Sequence, residues 1–209
     1  ALRAEVREFL AEQMTEELEE RLYRTGVSYD ADFTQALIER GWFAAGWPTE
    51  VGGQGRDPLE VLVLGEELQA ADAPTYANGT STAVARVLLK VGTPEQREIV
   101  PKVLRGEEII VLGFSEPEAG SDVANAQTRA VRDGDEWVIN GSKMFTTNAH
   151  IADHVFLLTR TNPDVAKHKG LTTFLVPMDQ PGVEVQAVYT LSGERTNITY
   201  YNDARVSDA

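Results

Sequence analysis

The sequence contains no cysteine. That single absence excludes a disulfide scaffold, thiolate zinc sites, iron–sulfur ligation and a cysteine nucleophile. No apolar run approaches the ~20 residues of a membrane-spanning helix. Positive charge is scarce: 19 Lys and Arg stand against 33 Asp and Glu, a formal net charge of −14. A nucleic-acid partner held through phosphates requires the opposite sign, and an anionic membrane surface repels such a chain. Gly-x-Ser-x-Gly, Walker and Gly-x-Gly-x-x-Gly patterns are all missing. The start, Ala1-Leu2-Arg3, is no secretion signal and lacks an initiator Met, so a trimmed chain is expected. What is present is 209 residues, 42% hydrophobic and 25% charged. That is the profile of an acidic soluble protein, expected in the cytoplasm, with one large or two small domains.

The apolar period changes near residue 108. Before it, Leu2, Val6, Phe9, Leu10, Met14 and Leu18 recur at helical steps, predicting one helix. Phe33–Ile38 predicts a second, stopped by Gly41. Residues 46–55 hold too much Gly and Pro for a periodic element. Asp57-Pro58 reads as a cap with Pro in the first helical position. A helix is predicted over Thr75–Val91. Thr93-Pro94-Glu95-Gln96 is a capping box opening a helix that runs through Leu104 to Gly106. After residue 108 the period approaches two. Strands are predicted at Ile109–Phe114, Gln127–Arg132, Glu136–Ile139, Lys143–Thr147, His154–Arg160, Leu171–Val176, Val183–Val188 and Ile198–Tyr201. Asp133-Gly134-Asp135 joins one hairpin, and Asn140-Gly141 predicts a second turn. Helices first and strands second make an α+β chain, with domains at 1–108 and 109–209.

Two segments can carry chemistry. In Ser115-Glu116-Pro117-Glu118-Ala119-Gly120-Ser121-Asp122, Gly120 lets the backbone approach a ligand, and its amide and the Ser121 hydroxyl could cradle an anion. The competing reading is an ordinary polar turn. In Lys143-Met144-Phe145-Thr146-Thr147-Asn148, strand alternation puts Phe145 and Thr147 on one face. A ring beside a hydroxyl suits a flat heteroaromatic ligand; the competing reading is a core aromatic beside a strand-favouring Thr. His150 and His154 have a spacing that could bind zinc only on a helix, and the local period is not helical, so no metal site is assigned. Lys167-His168-Lys169 is a basic patch that could meet a phosphate or simply be a solvated loop. Glu66 and Glu67 are adjacent on a helix, point apart and are no catalytic pair.

Glu116-Pro117-Glu118-Ala119-Gly120-Ser121-Asp122 followed by Asn140-Gly141-Ser142-Lys143-Met144-Phe145-Thr146-Thr147-Asn148 resembles the acyl-CoA dehydrogenases. Gly41-Trp42 through Gly53, Gly92-Thr93-Pro94-Glu95-Gln96 through Gly106, and Tyr200-Tyr201-Asn202-Asp203-Ala204-Arg205-Val206 resemble flanking segments of that family in the same order. The resemblance implies an N-terminal all-helical domain followed by a middle β-barrel domain, with FAD as cofactor and an acyl-CoA substrate. The family's C-terminal helical domain would begin where these residues end, so the carboxylate that takes the α-proton is expected outside them.

By the same resemblance, Leu112, Phe114 and Ser115 line the flavin's edge, Gly120 and Ser121 meet the pyrophosphate, and Ser121 and His168 lie near CoA. Phe145 stacks on the isoalloxazine, Thr146 is also assigned to cofactor binding, and Thr147 bonds near N5. Three positions depart from the family pattern: Phe145 where Trp is common, Thr146 where an apolar residue is usual, and Glu118 where Gly is usual. The implied activity is α,β-dehydrogenation of an acyl-CoA in lipid β-oxidation, with electrons passed to an electron-transfer flavoprotein or similar acceptor. The protein is expected to be a homo- or hetero-oligomer. Alternatives are a flavin- and acyl-CoA-binding subunit completed by a partner chain, an acyl-CoA oxidase or related flavin monooxygenase, and a scaffold that binds no flavin. The Gly193-Glu194-Arg195-Thr196-Asn197 stretch looks like that of relatives acting on steroid side-chain thioesters as paired subunits.

Overall fold

A computed structural model describes residues 1–208. Two helices, α1 (Leu2–Gln13) and α2 (Glu16–Thr25), replace the single one predicted across residues 2–18. The break is at Thr15, which leaves the helical conformation and accepts the Leu18 amide on its hydroxyl, capping α2. The apolar stripe keeps its phase across the break, so spacing alone does not reveal it. Asp30 caps α3 (Ala31–Glu39) by accepting the Phe33 amide. Asp57 caps α4 (Pro58–Ala70) in the same way, through Leu59. The long helix α5 (Tyr76–Val91) follows, then the expected capping box at Thr93 and Gln96. The helix it opens is broken into α6 (Pro94–Arg97) and α7 (Ile99–Leu104). Pro101 has no N–H to return to Arg97, which explains the break.

Among the described residues seven strands follow: β1 (Ile110–Gly113), β2 (Arg129–Asp133), β3 (Glu136–Lys143), β4 (His154–Arg160), β5 (Leu171–Pro177), β6 (Val183–Tyr189) and β7 (Arg195–Ser207). They form one mixed sheet in the order β1-β4-β2-β3-β7-β6, with β5 on the other side of β4. β1 and β2 run parallel to β4, while the other pairs are antiparallel. The sheet curls until β5 meets β7, around an interior of Val111, Ile139, Val155, Leu157, Val176 and Tyr201. No helix among the described residues is long and apolar enough to cross a membrane.

Asn140-Gly141 does not turn the chain. Both residues lie within β3, where the register against β7 slips between Ile139 and Gly141. Gly141 has φ +145°, and a Cβ there would lie 2.7 Å from Thr128 Cα. The glycine serves a close backbone approach, not a hairpin, and the extra residue of the bulge lies on β7, where residues 202 and 203 oppose Asn140.

The helices and the sheet share a boundary. Ile110 of β1 packs with Val84, Leu88, Val100 and Val103, and Phe156 of β4 leans on the same cluster. The fully buried Ile110 side chain contributes about 1.5–3 kcal/mol by its removal from water. The Ser81 hydroxyl of α5 bonds the Ile110 amide at 2.9 Å and the Ile110 carbonyl at 3.2 Å. On the far side of the sheet, the Arg195 amide donates to the Gly26 carbonyl at 2.8 Å. Gly26 is left-handed, and a Cβ there would sit 2.3 Å from the Gly193 oxygen. The loop after α2 is therefore laid directly on the β6–β7 turn.

Candidate functional site

The strand predicted over Lys143–Thr147 ends at Lys143. Phe145 (φ +57°) and Asn148 (φ +63°) are both left-handed. For a bulky residue this costs roughly 1–2 kcal/mol, so the neighbours must enforce it. They do: the Met144 amide donates to the Ser115 carbonyl at 2.8 Å, and the Thr146 amide to the Asn197 carbonyl at 2.9 Å. The alternation expected of a strand is lost. Phe145 is turned outward, 60% exposed, while Thr146 is fully buried with its hydroxyl 3.4 Å from that of Thr199. The Thr146 side chain thus belongs to the interior, and its assignment as a ligand group is not supported by its orientation.

Thr147 is half-buried, and its hydroxyl lies 3.1 Å from that of Thr196 on β7. A hydroxyl has one donor and two acceptor positions. With Thr196 donating, Thr147 keeps its own proton for a ligand. Thr147 opens on a groove of about 120 Å³ shared with Gly26, Ser28, Tyr76, Glu194 and Arg195. The Asn148 amide is buried, and neither its nitrogen nor its oxygen has a partner among the described residues. An unmade pair of this kind costs about 1–3 kcal/mol per group.

The end of β1 and the segment after it reach the same place. Leu112 is 42% exposed, and the Phe114 ring stands 6.0 Å from that of Phe156. Ser115 is held through its carbonyl by Met144. A tight turn then closes with mutual backbone bonds between Glu116 and Ala119, leaving Glu118 exposed at its tip, where water screens its charge. Gly120 and Ser121 follow on the exposed side, and a Cβ at Gly120 would meet nothing. Lys167 bridges to Asp122 at 2.5 Å, which brings the 167–169 turn beside Ser121. Arg160 fixes both segments, donating to the carbonyls of Ala124 (2.6 Å), Ala126 (3.0 Å) and Lys167 (2.9 Å). His168 therefore lies on a turn tied to the Ser121 loop.

Spacing did not single out the pair beneath these loops. Lys143 is 0% exposed, and its ammonium donates to Glu116 at 2.7 Å and to the Phe114 carbonyl at 3.2 Å. Glu116 also accepts the amides of Gln127 (2.6 Å) and Thr128 (2.9 Å). Burial alone would raise the Glu116 carboxyl. The Lys143 ammonium and the two amides outweigh it and hold the group below its ordinary value. Burial pushes the Lys143 ammonium down, against the pull of Glu116. A signal existed in the sequence: residues 139, 141 and 143 share the inward face of β3.

The remaining candidates fall elsewhere. His150 lies near Asn197, and burial together with Arg195 lowers it. His154 contacts Glu108 at 3.1 Å. No group of three or more His, Asp or Glu among the described residues could hold a metal ion. Glu67 is buried between α4 and α1, bridged by Arg3 and Arg7, while the exposed Glu66 takes Arg3 alone.

Comparison with known proteins identifies the family. Residues 1–107 match the family description "Acyl-CoA dehydrogenase, N-terminal domain", and residues 111–203 match "Acyl-CoA dehydrogenase, middle domain". The chain is 40% identical to acyl-CoA dehydrogenase FadE26 of Mycobacterium tuberculosis, over 98% of its own length and 53% of that protein. It is similar to a solved structure, the Tcur3481-Tcur3483 steroid ACAD, with TM-score 0.90 and 38% identity, covering 99% of this chain and 54% of that one. It is also similar to the ChsE4-ChsE5 complex from Mycobacterium tuberculosis, with TM-score 0.85 and 39% identity, covering 99% and 54%. The chain spans about half the length of the curated relatives it matches. These 209 residues belong to the acyl-CoA dehydrogenase family, carrying its N-terminal and middle domains.

Proposed function

We propose that these residues form the cofactor-binding part of an FAD-dependent acyl-CoA dehydrogenase, an oxidoreductase acting on the CH–CH group beside a thioester, divided near residue 108 into a helical and a sheet domain. The observation that carries the reading is the outward Phe145 ring, held in a strained backbone beside the Thr147 hydroxyl. Strain of this kind is retained where it presents a group to a ligand. The residues fit a flavin: an exposed ring for its face, the exposed Leu112 for its edge, a hydroxyl that keeps its proton for a ligand when Thr196 is the donor between them, and the orphaned Asn148 amide. When bound, FAD supplies the hydride acceptor, its N5 atom.

The chain's residues bind and orient. Phe145 fixes the ring plane by stacking. Thr147 would offer its hydroxyl as a hydrogen-bond donor near N5, and Thr196 would hold Thr147 in that orientation. Gly120 and Ser121 receive the pyrophosphate through an amide and a hydroxyl. Ser121 and His168 receive the CoA portion. The groove beside Thr147 takes the reacting carbons and excludes water from them. The proton-abstracting carboxylate belongs to sequence outside these residues. An electron-transfer flavoprotein or similar acceptor would take the electrons. CoA thioesters of lipid β-oxidation are the proposed substrate class, and the cytoplasm is the proposed compartment.

A second reading has its own support: the ChsE4-ChsE5 relative is a complex of two different chains. On that reading this chain is an oligomeric subunit whose base comes from its partner. Purification of the full-length protein alone and with its partner, followed by anaerobic bleaching with acyl-CoAs, separates the two. Rapid reoxidation by O2 would reassign the protein as an oxidase. Thr147→Val tests the site itself. Loss of one donor at the reacting atom is expected to slow the reductive half-reaction roughly 100-fold, with the FAD dissociation constant nearly unchanged. Equal losses in both, or none, would overturn the role.

A further inference from the structure

Three consecutive residues of the loop after β1 are each bonded to one of two neighbours, Lys143 at the end of β3 or Met144 just after it. The Lys143 ammonium donates to the Phe114 carbonyl at 3.2 Å, the Met144 amide to the Ser115 carbonyl at 2.8 Å, and the Lys143 ammonium again to the Glu116 carboxylate at 2.7 Å. Ser115 is therefore gripped on both sides and through its own backbone. The same carboxylate reaches the other way, to the amides of Gln127 and Thr128 at the entrance to β2, while the Thr128 hydroxyl donates to the Ser142 carbonyl at 3.1 Å. Phe145 and Thr147 lie two and four residues beyond Lys143 along the chain.

We propose that the Glu116–Lys143 pair is a positioning device for the cofactor. It sets the separation between the Leu112–Ser115 edge and the Phe145–Thr147 turn, so that a planar ring is held between fixed walls. The inference rests on the reading that these two segments flank a flavin. A buried ion pair is weak evidence of stability, because well-packed apolar residues of similar volume often replace one without loss. Lys143 is fully buried inside the curled sheet, and the unbranched, adaptable Met side chain can follow the path of its methylene stem without the charge. What an apolar pair cannot do is reach one carbonyl and two amides on separate segments and hold them in register. Neither residue touches the ligand on this reading. Each acts through Ser115, Phe145 and Thr147.

The test uses the full-length protein, with its partner subunit where it has one. Lys143→Met and Glu116→Gln are compared with wild type, Phe145→Ala and the double variant E116Q/K143M. Three properties are read: urea midpoint without FAD, FAD dissociation constant, and the position and vibronic structure of the bound flavin's visible bands. For both single variants the proposal expects FAD affinity at least tenfold weaker, displaced flavin bands and a kcat roughly 100-fold lower with KM little changed, since misplacement by about 1 Å carries a loss of that size. The double variant is expected to recover the wild-type urea midpoint while keeping the flavin defects. A stability loss with wild-type affinity and spectrum in the folded variants would overturn the proposal. So would a double variant that recovers both together. If a single variant does not fold, the double variant, with no buried charge, decides between the same outcomes on the same three properties. Wild type that binds no FAD, or Phe145→Ala with an unchanged spectrum, would instead overturn the underlying assignment of the site.

Discussion

At Phe145 the backbone and the side chain have opposing interests. Its left-handed conformation is unfavourable for any residue with a Cβ, yet it is what turns the ring outward. Phe145→Gly should therefore stabilise the chain by about 1 kcal/mol in urea denaturation while losing the stacking surface, read as weaker FAD binding. A variant that loses both would place the ring's packing above the backbone strain. Glu116 gives a pH signature. Its carboxyl is held below its unfolded value, so its stabilisation is fully present above that value and is lost as pH falls through the folded one. The stability of Glu116→Gln should accordingly vary less with pH below about 4.3, measured as urea midpoints from neutral to acid pH. Neither effect is legible from spacing. A positive φ at an aromatic has no local signature, and Glu116 meets Lys143 across 27 positions of sequence.

Elements were most legible where their cause is local. The Asp57-Pro58 start and the Thr93–Gln96 box depend on side chains reaching backbone a few residues away, and the structure forms both. Removing the Thr93 hydroxyl with Thr93→Ala should cost about 1 kcal/mol in thermal or urea unfolding, with flavin binding unaffected. Elements were misread where a distant contact decides. Asn140-Gly141 carries a strong turn signal, but β3 continues because Thr128 packs on the glycine and β7 pairs past it. The turn through Phe145 is imposed by Ser115 and Asn197, and no strand alternation can announce it. The paired motifs of the candidate site were readable as motifs. The buried Lys143 that joins them was readable only as an inward position on a strand.

In the whole molecule, the helical and sheet portions are held by specific polar contacts as well as by apolar packing. Ser81 satisfies the buried Ile110 amide, so Ser81→Ala leaves that amide without its partner and should cost about 1–3 kcal/mol. Helical and β signals should still unfold in one transition, because Ile110 remains within the shared apolar cluster. Two separate transitions would show that the portions are energetically independent. The −14 net charge also takes a sharper meaning. The proposed ligands, FAD and CoA, are themselves anions, so amides, hydroxyls and a few cations would have to meet them against the field of the whole molecule.

The direct seating of the Gly26 loop on the β6–β7 turn constrains how this sequence can be recombined. Gly26 has no room for a side chain beneath the Gly193 carbonyl, and Arg195 spends its amide on the Gly26 oxygen. A gene crossover near residue 108 looks natural from the periodicity, yet it would separate positions 26 and 81 from their partners at 193, 195 and 110. Homologous halves can be exchanged only when those positions agree, so the places where this fold tolerates shuffling are set by its seams and not by its domain boundary.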